Sequence, residues 1–219
     1  MKIPGPVTLI GQYAFCGCGK LNSIELPQTL ASIENSAFRW CSKLASITIP
    51  DSVTLIDQNA FCGCGSLRTV SIPTSVTEIK YGAFGFCSNL VSIEVSESNE
   101  AFCSFDGIVY SKDRSALLIC PSGKSDFEAF PENIRTIEKY AFYGCNCISC
   151  FDIPEGVQFI RSSAFYSCNQ LRSVMLPRST ISFEKDSFDD CEQLKNFTAP
   201  EGFDFPGEIL DSNVIITYC

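Results

Sequence analysis

A phenylalanine that returns every 23 residues is the feature that most limits what this chain can fold into. It occupies seven positions, with one longer interval after the fourth: Phe15, Phe38, Phe61, Phe84, Phe142, Phe165 and Phe188. A cysteine follows three residues after each of them: Cys18, Cys41, Cys64, Cys87, Cys145, Cys168 and Cys191. A unit this short cannot bury its own apolar face, so the units must stack and each must cover the next.

Each unit contains a short stretch of alternating apolar residues that ends at proline, as in Val70, Ile72 and Pro73. This alternation predicts a short strand with one buried face, and the proline, which has no backbone N–H to donate, ends it. Two further apolar residues, such as Val53 and Ile56, predict a second inward-pointing segment. The step Ala-Phe-x-x-Cys predicts one helical turn on the outer side.

Together these elements predict an α/β solenoid. It should be a right-handed superhelix with a parallel sheet on one face and short helical turns on the other. The longer interval between Phe84 and Phe142 contains two apolar runs, 108–110 and 116–120, on either side of a polar turn. These runs predict one inserted β-hairpin.

The repeat pattern returns intact after the insertion, which predicts a single domain over residues 1–219. Within it we expect regular repeats at about 3–95 and 130–200, and a hairpin-bearing long repeat at 96–129. Residues 201–219 depart from the pattern and end in an apolar stretch, 213–219, that predicts a last edge strand. Because terminal repeats are usually atypical, this segment is predicted to be a C-terminal cap.

Charge argues against two classes of partner. The chain has 16 Lys and Arg against 25 Asp and Glu, a formal net charge of −9, and its basic residues form no cluster. We therefore expect no binding to nucleic acid or to anionic lipid. No apolar run approaches the roughly 18 to 20 residues that span a bilayer, so no direct membrane insertion is expected either.

Fourteen cysteines raise the question of disulfides or metal. On rungs about 4.8 Å apart, in-register side chains run parallel and would strain a disulfide, so the seven repeated cysteines are predicted to be buried free thiols that donate weakly to loop carbonyls. The alternative is a metal site at Cys145, Cys147 and Cys150. Tetrahedral zinc needs four ligands and the chain has no histidine, so no metal or other cofactor is predicted.

Catalysis has little support in the sequence. A serine or cysteine nucleophile normally needs a base, most often histidine, and none is present. The adjacent carboxylates Asp189 and Asp190 are typical of a solvated loop, and the Cys-Gly-Cys-Gly step at 62–65 lacks the strand–turn–helix context of a phosphate loop. The sequence therefore predicts that the protein is not an enzyme.

The polar residues between the inward-pointing ones are the candidate binding residues. They should line up across the rungs of the sheet as a stripe of short hydroxyls and carboxylates: Ser23, Glu25, Ser46, Thr48, Thr69, Ser71, Ser92, Glu94, Asp152, Ser173, Met175, Asn196 and Thr198. Serine and threonine also suit any solvated strand, so a plain exposed face is the alternative. The binding interpretation rests on the use of solenoid sheets for recognition.

The units at 10–18 and 46–53 resemble the leucine-rich repeats of the BspA type, in which Ile-Gly-x-x-Ala-Phe-x-x-Cys-x-x-Leu leads to Ile-x-Ile-Pro-x-Ser-Val. The resemblance covers about residues 3–206 and includes the insertion. It implies a noncatalytic protein-interaction module, adhesin-like at a cell surface, that binds a protein partner through a concave Ser/Thr-rich sheet. The alternatives are an intracellular, cytoplasmic leucine-rich-repeat scaffold and, more remotely, a zinc-binding or enzymatic protein.

Overall fold

The computed structural model describes residues 1–205 and 213–219, and these contain short strands joined by tight turns. The strands, in chain order, are β1 Leu9–Ile10, β2 Ser32–Ile33, β3 Leu55–Ile56, β4 Thr69–Ile72, β5 Glu78–Ile79, β6 Ser92–Val95, β7 Phe102–Phe105, β8 Ile108–Ser111, β9 Ala116–Ile119, β10 Thr136–Ile137, β11 Cys150–Asp152, β12 Phe159–Ile160, β13 Ser173–Met175, β14 Ser182–Phe183, β15 Asn196–Ala199 and β16 Ile215–Tyr218.

One side of the solenoid, which we call the lateral sheet, is built from the second apolar segment of each unit. Its first part has the order β1-β2-β3-β5, and Ile10, Ile33, Ile56 and Ile79 stand in one parallel register. Its second part continues through β9, β10, β12 and β14. Each isoleucine packs on the isoleucine of the next rung. A unit of different length would break this alignment, which explains why the repeat length is constant.

A second side carries the strands that end at proline. Here β4 pairs with β6, and β11, β13, β15 and β16 form a parallel sheet. The strands predicted at 24–26 and 47–49 do not form regular ladders: Lys2 bridges Glu25, and residues 46–49 pair with neither neighbouring rung. Ring spacing in the phenylalanine column does not follow this pairing: Phe61 and Phe84 lie 5.4 Å apart although β4 and β6 of the same two rungs are paired, and Phe142 and Phe165 lie 4.6 Å apart.

The predicted helical turns are wrong: within the described residues, the Ala-Phe-x-x-Cys segments form turns and no helix. Residues two before and two after the phenylalanine adopt left-handed backbone conformations in every unit except at Asp186, for example Ser36 (φ 56°) and Trp40 (φ 59°) around Phe38. A right-handed helix needs negative φ throughout. The Phe38 N–H instead donates to the Ala60 carbonyl of the next rung at 2.8 Å, so these turn segments form a third row of hydrogen bonds between rungs.

The insertion contains the predicted hairpin and one strand more. β8 and β9 are antiparallel, as expected, but β7 also pairs antiparallel with β8, which makes a three-stranded unit. The buried core forms two clusters on either side of it; Val109 belongs to the first, and Ile108 and Tyr110 belong to the second. The insertion therefore contacts both halves of the core.

The C-terminal strand confirms the predicted edge strand, because β16 pairs in parallel with β15. Residues 206–212, which include Pro206 of the predicted cap, lie outside the described residues. Phe203 and Phe205 pack against Phe183, so the start of the predicted cap covers the last phenylalanines of the core.

Candidate partner-binding face

The thirteen predicted binding residues all lie at the surface of the side that carries β4, β6, β11, β13 and β15, and we call this set the Ser/Thr face. None is buried: Ser92, Ser173 and Thr198 are half-buried and the others are exposed. Their neighbours on the strands, such as Val70 and Val174, are buried, as alternation along a strand requires. The thirteen residues are therefore accessible to solvent on one side of the solenoid, as the alternation predicted.

The Ser/Thr face has two blocks rather than one stripe. In the N-terminal block Thr69 lies opposite Ser92, and Ser71 lies opposite Glu94. In the C-terminal block Asp152, Met175 and Thr198 share one register. The insertion separates the blocks, because the Ile93 N–H donates to the Gly107 carbonyl and the Val95 N–H donates to Ser104 Oγ. A Cβ at Gly107 would lie 2.7 Å from Ser92 Oγ, so only glycine allows this approach.

The N-terminal block contains two neighbouring depressions that share Thr48. One, of about 440 Å³, is lined by ten residues: Ile47, Thr48, Ile49, Asp51, Ser71, Ile72, Pro73, Glu94, Val95 and Ser96. The other, of about 610 Å³, is lined by a second set of ten: Lys2, Ile3, Gly5, Ile24, Glu25, Leu26, Pro27, Gln28, Thr29 and Thr48. We call the two together the N-terminal groove. Its position coincides with the unpaired segment 46–49.

The N-terminal groove has an apolar floor and an acidic rim. Glu94 accepts a hydrogen bond from Ser92 and another from Ser104 Oγ at 3.4 Å, which fixes its carboxylate beside Ser71. Glu25 pairs with Lys2 at 2.6 Å at the other end. Asp51 adds a third carboxylate to the lining. An apolar floor with fixed carboxylates suits a partner segment that offers an apolar and a basic side chain.

Sequence reasoning missed part of this lining. Asp51, Pro73 and Ser96 come at or just after the ends of their strands, beyond the alternating residues that were singled out. For Asp51 and Pro73 the signal that could have found them is the proline itself, because the chain must turn there and carry the next residues around the edge of the face; no proline marks Ser96.

Five of the seven repeated cysteines are buried free thiols, as predicted: Cys41, Cys64, Cys87, Cys145 and Cys168. The prediction is wrong for Cys18, which lies in the first phenylalanine unit and is exposed, and Cys191 is half-buried. Apart from Cys18 and Cys145, each Sγ donates to the carbonyl of the phenylalanine one rung earlier, as Cys64 does to Phe38 at 3.2 Å and Cys168 does to Phe142 at 3.0 Å. Cys145 bonds the Cys120 carbonyl instead at 3.7 Å, since the end of the insertion occupies the preceding rung. Burial raises the pKa of the Cys41 thiol to about 11 and raises the pKa of Cys64 further.

The thiols should consequently fall into two reactivity classes. In native protein at pH 8, we expect an alkylating reagent to modify five exposed thiols quickly: Cys16, Cys18, Cys147, Cys150 and Cys219. Cys41, Cys64, Cys87, Cys145 and Cys168 should react only on unfolding, because burial and a raised pKa both keep the thiolate rare. Peptide mapping of the labelled chain measures this. Rapid native labelling of Cys64 would contradict the assignment.

The proposed alternatives for chemistry can be located as well. Cys145 is buried, whereas Cys147 and Cys150 are exposed, so the three do not share one environment. In residues 1–205 and 213–219, no three histidine, cysteine or acidic side chains group closely enough to hold a metal ion. In the same ranges no helix is long and apolar enough to cross a bilayer.

The fold and its polar sheet face define a solenoid repeat protein, and comparison with known proteins gives its family. A model of the BspA type leucine rich repeat region matches in six copies over residues 1–105 and 125–210. The chain belongs to this family, which confirms the resemblance found in the sequence. No curated protein matches the chain.

Solved structures share the fold. A leucine-rich repeat protein from Eubacterium ventriosum is 23% identical with a TM-score of 0.74, over 92% of this chain and 60% of that one. The pneumococcal vaccine antigen PcpA is 22% identical with a TM-score of 0.66, over 100% of this chain and 68% of that one. A leucine rich cell surface protein from Faecalibacterium prausnitzii is 26% identical with a TM-score of 0.54, over 94% and 71%. The chain therefore spans about 60% of the length of the Eubacterium protein.

Proposed function

We propose that this chain is a noncatalytic protein-interaction module that binds its partner through the Ser/Thr face, with the N-terminal groove as the main contact. The observation that carries the proposal is the coincidence of exposed Thr48, Ser71 and Glu94 with depressions of about 440 and 610 Å³. Flat solvated strands would not provide such depressions. Polar rims around apolar floors are the usual anatomy of protein interfaces.

The proposal includes the chemistry of the partner. The lining of the N-terminal groove contains three carboxylates, Glu25, Asp51 and Glu94, and one ammonium, Lys2. The whole chain carries a net charge of −9. A basic partner segment would be attracted to this rim and oriented by it. Association should therefore weaken as salt is raised.

For the place of action we propose the surface of a cell, with an adhesin-like role. The support is the Faecalibacterium relative, which is described as a cell surface protein. The alternative is an intracellular scaffold that uses the same Ser/Thr face, and its support is the row of free thiols that bond carbonyls rather than one another. Immunolabelling of intact and permeabilised producing cells separates the two, since a pool seen only after permeabilisation would reject the adhesin role.

We also propose that residues 1–219 act as one domain. The support is the insertion, whose Val109 packs in one core cluster while Tyr110 packs in the other. Ser122 adds hydrogen bonds to the Phe84 and Tyr143 carbonyls, one from each side.

Charge reversal tests the binding face. A variant with Glu25→Lys, Glu94→Lys and Asp152→Lys should lose at least about tenfold in affinity for an identified partner, since it opposes a basic segment with like charges. The matched control reverses three exposed carboxylates away from the face: Glu100→Lys, Glu184→Lys and Glu192→Lys. Partner binding measured by titration should survive in the control. Equal binding by both variants, with unchanged melting temperatures, would reject the Ser/Thr face as the binding surface.

A further inference from the structure

The lateral sheet is interrupted where the insertion enters, and a cavity lies at the interruption. β5 pairs only with β3, and β9 pairs with β8 and β10, so no ladder joins β5 to β9. The space between them measures about 230 Å³. Its apolar lining comes from both sides: Ile79, Tyr81, Phe102, Val109, Leu118 and Ile119.

The size of the cavity limits what it can hold. An apolar cavity of about 150 Å³ accepts benzene, and drug-sized ligands occupy roughly 300 to 1,000 Å³. A space of about 230 Å³ therefore suits a single ring or a branched aliphatic group and little more. That is the size class of one apolar amino-acid side chain.

Two charged groups of opposite sign complete the lining and lack ion-pair partners. Lys139 Nζ lies 5.3 Å from the centre of the Tyr81 ring and 5.5 Å from that of Tyr140, so the stacked tyrosines hold its ammonium by cation–π contact. Lys80, also in the lining, already pairs with Glu78. Neither Lys139 nor Glu138 forms an ion pair within the ranges that the structure describes.

We propose that this cavity binds a free apolar α-amino acid. The side chain would fill the space between β5 and β9, the carboxylate would meet Lys139, and the α-ammonium would meet Glu138. An uncharged apolar molecule would form no ion pair with Lys139 or Glu138, whereas a zwitterion can form one with each. The site lies on the lateral sheet and not on the Ser/Thr face, so a test of this site does not depend on whether the proposed function is correct.

Titration of the ¹⁵N-labelled full chain with L-phenylalanine, followed by amide NMR, tests the proposal. We expect saturable shifts centred on residues 79–81, 118–119 and 138–139. N-acetyl-L-phenylalanine lacks the ammonium and L-phenylalaninamide lacks the carboxylate. Each should bind about tenfold more weakly or worse, because a hydrogen-bonded charge contact is lost.

Paired variants locate the site. Lys139→Gln should weaken L-phenylalanine binding about tenfold, whereas Lys43→Gln, at an exposed lysine outside the cavity, should not change it. Leu118→Trp should abolish binding by filling the cavity, and Val91→Trp, at an exposed apolar residue elsewhere, should leave it intact. Melting temperatures show that each variant is folded.

Several results would overturn the proposal. Absence of saturable shifts with L-phenylalanine up to solubility would do so, as would shifts centred away from the cavity. Binding of N-acetyl-L-phenylalanine as tight as that of L-phenylalanine would remove the role of Glu138 and with it the assignment to a free amino acid. Normal binding by a folded Lys139→Gln protein would be equally decisive.

Discussion

Phe61→Ala should lower the free energy of unfolding by about 3 to 5 kcal/mol, the largest effect that we expect from a single side-chain truncation in the repeat core. The ring is fully buried and stacks on Phe38 at 5.3 Å and on Phe84 at 5.4 Å. Its loss leaves a cavity between two rungs whose backbones are tied together by hydrogen bonds and cannot collapse. Chemical denaturation of the two proteins measures the difference.

Ser71→Ala is the matched control, because Ser71 belongs to the same repeat unit but points outward from β4. Its effect on stability should stay within about 0.5 kcal/mol. If both variants lost the same free energy of unfolding, the assignment of Phe61 to the buried side and of Ser71 to the exposed side of the unit would be wrong. Phe15→Ala offers an intermediate case, since that ring is only half-buried in the first rungs.

Asp106→Asn should destabilise the insertion strongly, by about 3 to 5 kcal/mol, because it leaves a buried lysine without its counter-charge. Lys124 Nζ lies 3.1 Å from Asp106 Oδ1, and the two side chains are only 8% and 15% exposed. Asparagine keeps the shape and tolerates the left-handed backbone at this position, where φ is 51°. Denaturation together with hydrogen exchange of residues 102–119 measures the loss.

The double variant Asp106→Asn, Lys124→Met separates charge from shape. Methionine removes the ammonium, which lies 5.8 Å from the centre of the Phe127 ring, and keeps an apolar chain of similar length, so most of the lost stability should return. Glu25→Gln breaks the exposed Lys2–Glu25 pair and should have little effect, as solvent screens that pair. A double variant as unstable as Asp106→Asn would refute the account of an unpaired buried charge.

Much of the fold could be predicted because identical side chains mark identical places in a stacked repeat. Phe38, Phe61 and Phe84 recur at the same interval because each ring must stack on the next, and Cys64 recurs with Phe61 because its thiol bonds the phenylalanine one rung earlier. A recurring side chain therefore identifies both the residue's place in the unit and its alignment with the neighbouring rungs. The same argument predicted which residues face inward and which face solvent.

The turn segments could not be predicted in the same way. Their shape depends on the sign of φ at Tyr13, Ser36 and Trp40, which are residue types that rarely adopt left-handed conformations and do so here because inter-rung hydrogen bonds compensate the strain. Nothing in residue type marks them, whereas glycine does so at Gly63, where φ is 78° and a Cβ would lie 2.2 Å from the Trp40 ring. The three-residue spacing of Phe and Cys is compatible with a helical turn, which is why the sequence pattern alone predicts the wrong conformation.

The exposure of the candidate residues was predictable, but the shape of the N-terminal groove was not. Exposure of Thr48 and Ser71 follows from alternation, yet the N-terminal groove lies where residues 46–49 are unpaired, and no local pattern records that missing pairing. The cavity beside Lys139 likewise depends on where the insertion interrupts the lateral sheet.

That interruption also determines how the molecule should respond to force. Elsewhere neighbouring rungs share rows of backbone hydrogen bonds, but the lateral sheet stops between β5 and β9 and the ladder of the Ser/Thr face stops between β6 and β11. The junction keeps isolated contacts, among them Phe86 N–H to the Tyr143 carbonyl and Gly123 N–H to the Leu90 carbonyl. Under tension along the axis, the array should part first at the insertion, and the two halves should separate before either unravels.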